Sequence, residues 1–423
     1  MNIGIQTWGS NGDIRPLLAL SEELQKAGHQ VTLVVSSIDN SSYADMCQRL
    51  AIRYRQIPAH IDFDMPSFAQ KTFRMNTLQW LNALLEAAFF PYEQAIYEAS
   101  KRLVEENDCV IGHHFLYPLK LAASKQKKPH FSVTFCHGAI AMTEHPPFRF
   151  PDLGALINRF QWHILDYIFD FALKNSLSKL WLREGMPAFK HVFPELLNSN
   201  FLNLVAVDPL FCPYQNQWHP THQVCGFLNL SDTAETWLIP KNLQQFIEQG
   251  EKPVYMTFGS LQQAVPDWSM NLFIEAAQQT NCRAIIQTSS DRYPPETQHG
   301  DIYFVGKHPH QTVFRHCAAV VHHGGAGTTH TATLSGCPSI VVPFMDEQLF
   351  WAYQLQHLGL ASAPLLAKNA TATVLSERIT AVLQSANLPL NALKAKDQIE
   401  SGQGTKKAVD LIEAALTRFH EHH

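Results

Sequence analysis

The sequence predicts an α/β protein built from two doubly wound parallel sheets. Short apolar strands alternate with helices in two separate series, one starting at Asn2 and the other near Pro253. This β–α–β rhythm is typical of parallel sheets covered by helices on both faces. A chain of 423 residues is also too long for one ordinary core, so two or three domains are expected.

The first series of elements follows from apolar runs and helical leucine spacing. A turn is expected over residues 8–13, and Gly28 ends the first helix. The predicted elements are strands at 2–7, 30–36, 109–112 and 130–135 and helices at 14–27 and 116–125.

The rhythm breaks between residues 144 and 181. Residues 153–182 predict one long helix crowded with large apolar side chains, including Phe160, Tyr167 and Phe171. A helix that is apolar all round is usually buried in a core or in a subunit contact. The alternative interpretations are a wall of a pocket for a lipophilic ligand and a contact with a membrane surface.

The second series predicts a second domain of similar design. Its elements are strands at 254–260, 283–287, 302–305, 318–322 and 339–343, a helix at 270–279 and a closing helix. The polar stretch 229–241, which contains Pro240, is the predicted linker. We therefore expect an N-terminal domain at 1–228 and a C-terminal domain at 242–423 that face a cleft, with a last helix that could return to the N-terminal domain.

Composition excludes several classes of protein. Net charge is −5, which argues against nucleic acid as a partner, and 46% hydrophobic with 16% charged residues indicates a well-packed fold. Eight scattered cysteines without a Cys-x-x-Cys pair predict reduced thiols rather than disulfides or a zinc site. The chain opens with a strand rather than a signal peptide, and no long uncharged apolar stretch predicts a spanning helix, so we expect a cytoplasmic protein.

The most informative segment is 320–330, Val-Val-His-His-Gly-Gly-Ala-Gly-Thr-Thr-His. A strand, a glycine-rich turn and a helix start together form an anion site, because glycines admit close approach and the helix N-terminus offers unpaired N–H groups. Phosphate or diphosphate is the expected ligand, with His323 as an added donor. No Lys-Ser or Lys-Thr follows the glycines, so a kinase or ATPase is not indicated. Close packing alone is the competing interpretation.

Three further loops are expected at the carboxyl ends of strands, where ligands of such sheets bind. Residues 9–16 carry Asp13, which is suited to act as a general base or, alternatively, to cap the next helix. Residues 258–260, Phe-Gly-Ser, offer backbone N–H and hydroxyl groups to a phosphate, or form a plain turn. Residues 343–351 carry polar groups that suit sugar hydroxyls, or simply begin a helix with acidic residues.

Taken together, residues 322–351 resemble the donor-binding signature of nucleotide-sugar glycosyltransferases with two Rossmann-like domains, the GT-B fold. The matching pieces are His-His-Gly-Gly-Ala-Gly-Thr-Thr, Gly336-Cys-Pro-Ser-Ile-Val-Val-Pro343 and Glu347-Gln348 followed by Phe-Trp. Gly-Ser-Asn-Gly-Asp-Ile-Arg-Pro at 9–16 resembles the N-terminal loop of the sterol and antibiotic branch of that family. The region of about 40–225 carries no usable resemblance.

The resemblance implies a role for particular residues. His323, Gly325, Gly327 and Thr328 would contact the diphosphate, and Ser260 would approach it from the other side. The loop 307–310, with His308, would hold the base, although Lys307 stands where plant relatives carry a stacking Trp. Glu347 and Gln348 would hold the sugar hydroxyls, and Asp346 fills a position that is often Gly.

The resemblance further implies an inverting transfer of a hexose from UDP-glucose to a lipophilic acceptor such as a sterol, polyketide or phenolic. Asp13 stands where plant relatives have a catalytic His and would be the base, with His113, His114 and His137 as possible helpers. A UDP-sugar is then a substrate, and neither a tightly bound cofactor nor a metal site is expected. The alternatives are a nucleotide-sugar epimerase and a non-catalytic lipid-binding relative.

Overall fold

The structure is a computed structural model of the full chain. It describes all residues except 73, 74, 76, 143, 231–236, 264, 289, 401, 402 and 423, and only the backbone of 66, 69, 70, 77, 260, 263, 400 and 422. Most of the linker predicted at 229–241 therefore lies outside the described residues.

The strands that the structure describes are short, as expected for parallel sheets. In chain order they are β1 (Asn2–Gly9), β2 (Gln30–Ser37), β3 (Arg53–Gln56), β4 (Cys109–His113), β5 (His130–Thr134), β6 (Leu202–Val205), β7 (His222–Val224), β8 (Val254–Met256), β9 (Ala284–Gln287), β10 (Thr297–His299), β11 (Ile302–Val305), β12 (Ala319–His322) and β13 (Ser339–Val341).

Helices separate most of these strands. In chain order they are α1 (Asn11–Lys26), α2 (Ala44–Arg49), α3 (Met65–Thr72), α4 (Thr77–Ala88), α5 (Glu93–Glu106), α6 (Tyr117–Lys125), α7 (Ala155–Arg183), α8 (Lys241–Glu248), α9 (Pro266–Thr280), α10 (His310–Phe314), α11 (Ala326–Leu334), α12 (Asp346–His357), α13 (Ala372–Leu383), α14 (Asn387–Glu400) and α15 (Gly404–His422).

The chain divides into two compact units. The first comprises Met1–Phe63, Met75–Ala234 and Gly402–His423, and the second comprises Asp64–Arg74 and Glu235–Ser401. The last helix, α15, is part of the first unit, where Ile412 and Leu416 join the core beside α1 and Glu413 lies 2.9 Å from His29. The short helix α3 belongs to the second unit.

The first unit holds a sheet with strand order β3-β2-β1-β4-β5-β6-β7, and every pair in it is parallel. Strand order therefore reverses between β1 and β4. In doubly wound sheets, the carboxyl ends of the strands at such a reversal form the binding crevice. The loop after β1 and the end of β4 are the segments that this topology brings together.

The core of the first unit lies on both faces of its sheet. Ile3 and Ile5 of β1 point to one side and join the cluster that contains α1 and α15. The alternate residue Gln6 points to the other side, where its carboxamide oxygen accepts a hydrogen bond of 2.7 Å from the Ser100 hydroxyl of α5. Successive side chains of a strand face opposite layers, so both sides of the sheet are covered.

The second unit holds a sheet with strand order β10-β11-β9-β8-β12-β13, in which only the β10–β11 pair is antiparallel. Val254 and Met256 of β8 face one core cluster and Tyr255 faces the other. Strand order reverses between β8 and β12. The turns after these two strands consequently meet at the switch point of the second sheet.

The parallel α/β class predicted from the sequence is confirmed, but several boundaries are wrong. The expected turn over residues 8–13 does not exist, because β1 runs to Gly9 and α1 already begins at Asn11. The strand predicted at 254–260 ends at Met256, after which the chain turns at Gly259. The strands β3, β6, β7 and β10 were not predicted, because each is short and polar residues interrupt its apolar pattern.

The long helix α7 is buried on one side only. It buries Trp162, Leu173, Leu177 and Leu180 and exposes Leu156, Phe160, Tyr167 and Phe171. The interpretation of residues 153–182 as a helix buried all round is wrong.

Helix length and composition also bear on membranes. Within the described part of the chain, no helix combines the length and the apolar content that crossing a membrane requires.

Candidate functional site

The turn after β12 requires glycine at position 324. His322 is fully buried, and its Nδ1 accepts a hydrogen bond of 3.1 Å from the Gly324 N–H. Gly324 has φ +90°, and a Cβ there would lie 2.8 Å from both the Gln348 carbonyl oxygen and Val341 Cγ1. Only glycine combines this left-handed backbone with this close approach, so the sequence Gly-Gly fixes the path of the turn.

The turn leads directly into an uncapped helix end. Gly325 is the N-cap of α11, and no side chain among the described residues caps it. The N–H groups of the first turn therefore lack helical partners, and the helix dipole adds partial positive charge there. Gly327 is exposed, and nothing lies within 4 Å of a Cβ built on it. This end of α11 has the geometry that suits an anion.

The imidazole of His323 lies between two glycine turns. A Cβ on Gly325 would come within 2.5 Å of His323 Nε2, and a Cβ on Gly259, which has φ +59°, within 3.2 Å of Cε1. The turns after β8 and β12 thus meet at this ring. Its Nδ1 is buried without a hydrogen-bond partner in the described residues. Burial lowers the pKa of His323 to about 4, so at pH 7 it is a neutral ring able to donate one hydrogen bond.

Thr257, which sequence reasoning missed, shapes the other half of this anion site. Its N–H donates to the Val321 carbonyl oxygen at 2.9 Å, and its Oγ1 accepts from the Gly259 N–H at 2.9 Å. These bonds join the end of β8 to β12 and hold the turn against His323. The side chain of Ser260, a predicted phosphate ligand, lies outside the described residues.

The loop at residues 307–310 carries His308 inside the fold. Its Nδ1–H donates to the Gly306 carbonyl oxygen at 2.9 Å, its Nε2 lies 3.3 Å from the Tyr255 hydroxyl, and Trp237 stacks on its ring at 5.0 Å. Burial lowers the pKa of His308. Both ring nitrogens have protein partners, so His308 positions this loop. Sequence reasoning missed Trp237 because it comes from the predicted linker.

The start of α12 supplies the predicted sugar-binding residues. Asp346 is half-buried, Glu347 is exposed and Gln348 is buried. The Gln348 carboxamide oxygen accepts a hydrogen bond of 2.8 Å from the Phe344 N–H. The Gln348 backbone also lies against Gly324. The start of α12 therefore packs directly on the turn after β12.

Asp13 lies at the switch point of the first unit and caps its own helix. One carboxylate oxygen, Oδ2, accepts hydrogen bonds from the Ser10 N–H at 2.8 Å and the Ser10 hydroxyl at 3.2 Å. Ser10 is the N-cap of α1, so this is the reciprocal bond of a capping box. The side chain remains 35% exposed, which leaves the carboxylate open to a ligand.

Of the three histidines singled out in the sequence, the structure brings His113 to Asp13. His113 Nε2 lies 3.6 Å from Asp13 Oδ1, and the ring is buried. His113 Nδ1 accepts a hydrogen bond of 3.3 Å from the Phe115 N–H, which places the proton on Nε2, toward the carboxylate. His114 is half-buried and His137 is buried, and burial lowers the pKa of both rings, to about 4 for His137.

The family comparison covers the larger part of the second unit and the beginning of α15. Residues 279–413 match the family described as "Erythromycin biosynthesis protein CIII-like, C-terminal domain". This span contains β12, the glycine turn, His323 and the start of α12.

Curated relatives match over the whole chain. Sterol 3-beta-glucosyltransferase UGT80B1 of Arabidopsis thaliana is 25% identical over all of this chain and 68% of its own length. O-mycaminosyltylonolide 6-deoxyallosyltransferase of Streptomyces fradiae is 26% identical over all of this chain and 99% of its own. The sterol 3-beta-glucosyltransferase of Pichia angusta is 26% identical over 96% of this chain, which spans only 33% of that protein.

Solved structures with the GT-B fold match the chain from end to end. A glycotransferase of kitacinnamycin has a TM-score of 0.72 at 18% identity and covers 98% of this chain and 99% of its own. The calicheamicin glycosyltransferase CalG4 has a TM-score of 0.69 at 18% identity, with coverage of 99% and 98%. VinC, solved with dTDP, has a TM-score of 0.65 at 16% identity, with coverage of 99% and 100%. The predicted GT-B fold is confirmed.

Proposed function

We propose that this chain, a homologue of sterol and antibiotic glycosyltransferases, transfers glucose from UDP-glucose to a hydroxyl group of a lipophilic small molecule. The observation that carries the proposal is the His323 ring, held between Gly259 and Gly325 beside the uncapped end of α11. Such a site suits a diphosphate, because neutral donors and a helix N-terminus stabilise its charge.

The second unit would hold the donor. The N–H groups at Gly325, Gly327 and Thr328 would contact the diphosphate, with His323 donating from one side and Ser260 from the other. The loop at 307–310, positioned by His308, would hold the uracil. Glu347 and Gln348 would bind the sugar hydroxyls, and the bond from Phe344 N–H to the Gln348 carboxamide oxygen fixes the orientation of that amide.

The chemistry would be one displacement with inversion at the anomeric carbon. The acceptor oxygen forms its bond to C1 while the bond from C1 to the diphosphate oxygen breaks. The acceptor proton passes to Asp13, and the negative charge passes to the departing UDP, where His323 and the α11 end stabilise it. For the reaction to occur, the acceptor oxygen beside Asp13 must reach C1 of the donor sugar.

His113 would be a positioning residue for Asp13. Its Nε2 lies 3.6 Å from Asp13 Oδ1, just beyond hydrogen-bond distance, while Ser10 holds Oδ2 at 2.8 Å. Ser10 therefore fixes the carboxylate, His113 would complete its orientation with a small approach, and the acceptor hydroxyl would approach its exposed side. A fixed carboxylate orientation lowers the cost of reaching the reactive geometry.

The donor nucleotide and the product test this proposal. We expect UDP and UDP-glucose to raise the Tm of the protein more than dTDP or GDP, and UDP-glucose with a panel of sterol, polyketide and phenolic acceptors to give a β-glucoside by mass and NMR analysis. His323→Ala should lower kcat by about 10²–10³. His299→Ala, a change of an exposed histidine in the same unit, is the matched control.

The alternatives give different results. Preference for dTDP-glucose, a donor built on the dTDP that is bound in VinC, would overturn the choice of UDP and leave transfer intact. Rapid conversion of UDP-glucose to another sugar nucleotide without acceptor would instead indicate an epimerase. Binding of acceptors with no turnover of any donor would indicate a non-catalytic lipid-binding protein.

A further inference from the structure

His322, the last residue of β12, is a buried histidine to which the proposed transfer gives no role. Its side chain is fully buried. It faces the same layer as Val320 and Tyr255, since alternate residues of a strand point to the same side of the sheet. The neighbouring ring of His323 lies instead between the two glycine turns. The two histidines of the motif therefore have different surroundings.

One hydrogen bond fixes the tautomer of His322. Its Nδ1 accepts the Gly324 N–H at 3.1 Å, so the proton of the neutral ring lies on Nε2. Burial, with smaller contributions from His323 and His310, lowers the pKa of His322 to about 3, which keeps the ring neutral at pH 7. A protonated ring would carry a proton on Nδ1 as well and could not accept this bond.

The peptide group that His322 holds lies at the centre of the turn after β12. A Cβ added to Gly324 would lie 2.8 Å from the Gln348 carbonyl oxygen, so this residue is pressed against α12. The next residue, Gly325, is the N-cap of α11, and a Cβ added to it would lie 2.5 Å from His323 Nε2. The bond to His322 therefore acts where the end of α11, the His323 ring and the start of α12 pack together.

Packing alone does not account for a histidine at this position. Its Nε2 is buried and has no hydrogen-bond partner among the residues that the structure describes. Burial of an unpaired ring N–H carries a cost that an apolar side chain of similar size would avoid. The property that an apolar side chain lacks is the acceptor at Nδ1. The bond to the turn is therefore the better explanation of His322.

We infer that His322 is a positioning residue of the diphosphate site, because its Nδ1 holds the Gly324 N–H inside the fold. This bond would align three groups with the donor, namely the Gly325 N–H, the His323 ring and the Gln348 carboxamide. The identity of the ligand rests on the proposed function, whereas the hydrogen bond and the tautomer do not.

Two amide substitutions separate the two ring nitrogens. The carboxamide oxygen of His322→Asn stands at the δ position and can replace Nδ1 as the acceptor, whereas the carboxamide of His322→Gln begins one atom farther out, near Nε2. Isothermal titration calorimetry with UDP should show His322→Asn within about threefold of the parent affinity. His322→Gln should bind UDP at least about tenfold more weakly, as expected when one buried hydrogen bond is lost. The Tm of each variant controls for folding.

NMR of the ring nitrogens tests the hydrogen bond without any ligand. The His322 signals of the isotope-labelled parent are those that disappear in His322→Asn. They should show an unprotonated Nδ1 and a protonated Nε2 from pH 7 down to about pH 5, because burial keeps this ring neutral. This measurement does not need His322→Gln, so it decides the hydrogen bond even where that variant is unfolded.

Other outcomes would overturn the inference. A proton on Nδ1 of His322 in the free protein would do so, as would equal UDP affinity of the parent and His322→Gln at the same Tm. Equal losses of affinity in the Asn and Gln variants would show that the acceptor at Nδ1 is not the property that matters. A parent chain that binds neither UDP nor another nucleoside diphosphate would instead refute the proposed function.

Discussion

At the scale of single residues, Asp13 has an observed role as helix cap and a proposed role as base, and a sequence cannot separate the two. Its Oδ2 closes the capping box with Ser10, and its Oδ1 faces His113 in the proposed catalytic arrangement. A capping carboxylate by itself needs no histidine at 3.6 Å and no 35% exposure. The two roles can be distinguished because a base needs the negative charge of the carboxylate, whereas a helix cap needs only an oxygen that accepts the Ser10 N–H.

We expect Asp13→Asn to lower kcat by about 10²–10⁴, the usual contribution of a general base. The carboxamide oxygen of Asn can still accept the Ser10 N–H, so the unfolding free energy should stay within about 1 kcal/mol of the parent. Steady-state kinetics and urea unfolding on the same preparations measure both quantities. Near-normal kcat in Asp13→Asn, with a stability loss confined to Asp13→Ala, would leave Asp13 as a helix cap only.

The sequence predicted three helper histidines but could not choose among them. The choice depends on strand order, because β4 pairs directly with β1 and delivers His113 to the loop that carries Asp13. No local sequence pattern shows that residues 13 and 113 lie next to each other. The same reason hid the contact between Gly259 and His323, which follows from the pairing of β8 with β12.

At the scale of elements, the turn between β12 and α11 depends on one glycine more than on the others. Gly324 has φ +90°, and a Cβ added there would lie 2.8 Å from the Gln348 carbonyl oxygen. A Cβ added to Gly327 would have no atom within 4 Å. Both glycines belong to the same motif. Their structural roles differ because only the first is pressed against α12.

Gly324→Ala should therefore destabilise the second unit by about 1–3 kcal/mol, the range for strained backbone positions. Gly327→Ala, the matched control, should change the unfolding free energy by less than about 1 kcal/mol, since Ala is favourable in a helix. Urea unfolding of the two variants is the measurement. Equal losses of unfolding free energy in the two variants would show that the packing of Gly324 on α12 does not contribute to stability.

Much of the element order was predictable, and its limits have physical causes. Strands marked by apolar runs, such as β4 and β12, were found, whereas β7, with one apolar residue among its three, was not. The leucine spacing of α1 was recognised, but that of α4 was not. The start of α1 was placed three residues late, because Gly12 and Asp13 suggest a turn until the Ser10 capping box is seen. The direction of the apolar face of α7 depends on what the opposite face packs against, which spacing alone does not reveal.

At the scale of the whole molecule, buried histidines link stability to pH. Burial lowers the pKa to about 3 or 4 for His130, His137, His222, His322, His323 and His330. An unfolded histidine has a pKa of about 6.5. Between about pH 6.5 and 4 the unfolded chain thus binds protons that the folded chain does not, and stability falls as pH falls.

We expect the Tm to be nearly constant between about pH 7 and 8 and to fall steeply from pH 6.5 toward pH 4.5. His130→Gln should reduce the pH dependence of the unfolding free energy by up to about 1.4 kcal/mol per pH unit, the effect of one proton. Urea unfolding of the parent and of His130→Gln at pH 5 and pH 7 gives, for each protein, the change in unfolding free energy between the two pH values. A pH-independent Tm down to pH 4.5 would contradict the neutral state of these rings.

The path of the chain has a consequence for exchanging halves between related enzymes. Because α15 follows α14 in sequence but packs in the core beside α1, the first unit contains both ends of the polypeptide. A chimera with a single junction near residue 235 would graft a foreign α15 onto the resident α1. Two junctions, near residues 235 and 402, would instead exchange the segment that carries β8–β13 and leave the native α1 and α15 packed on each other.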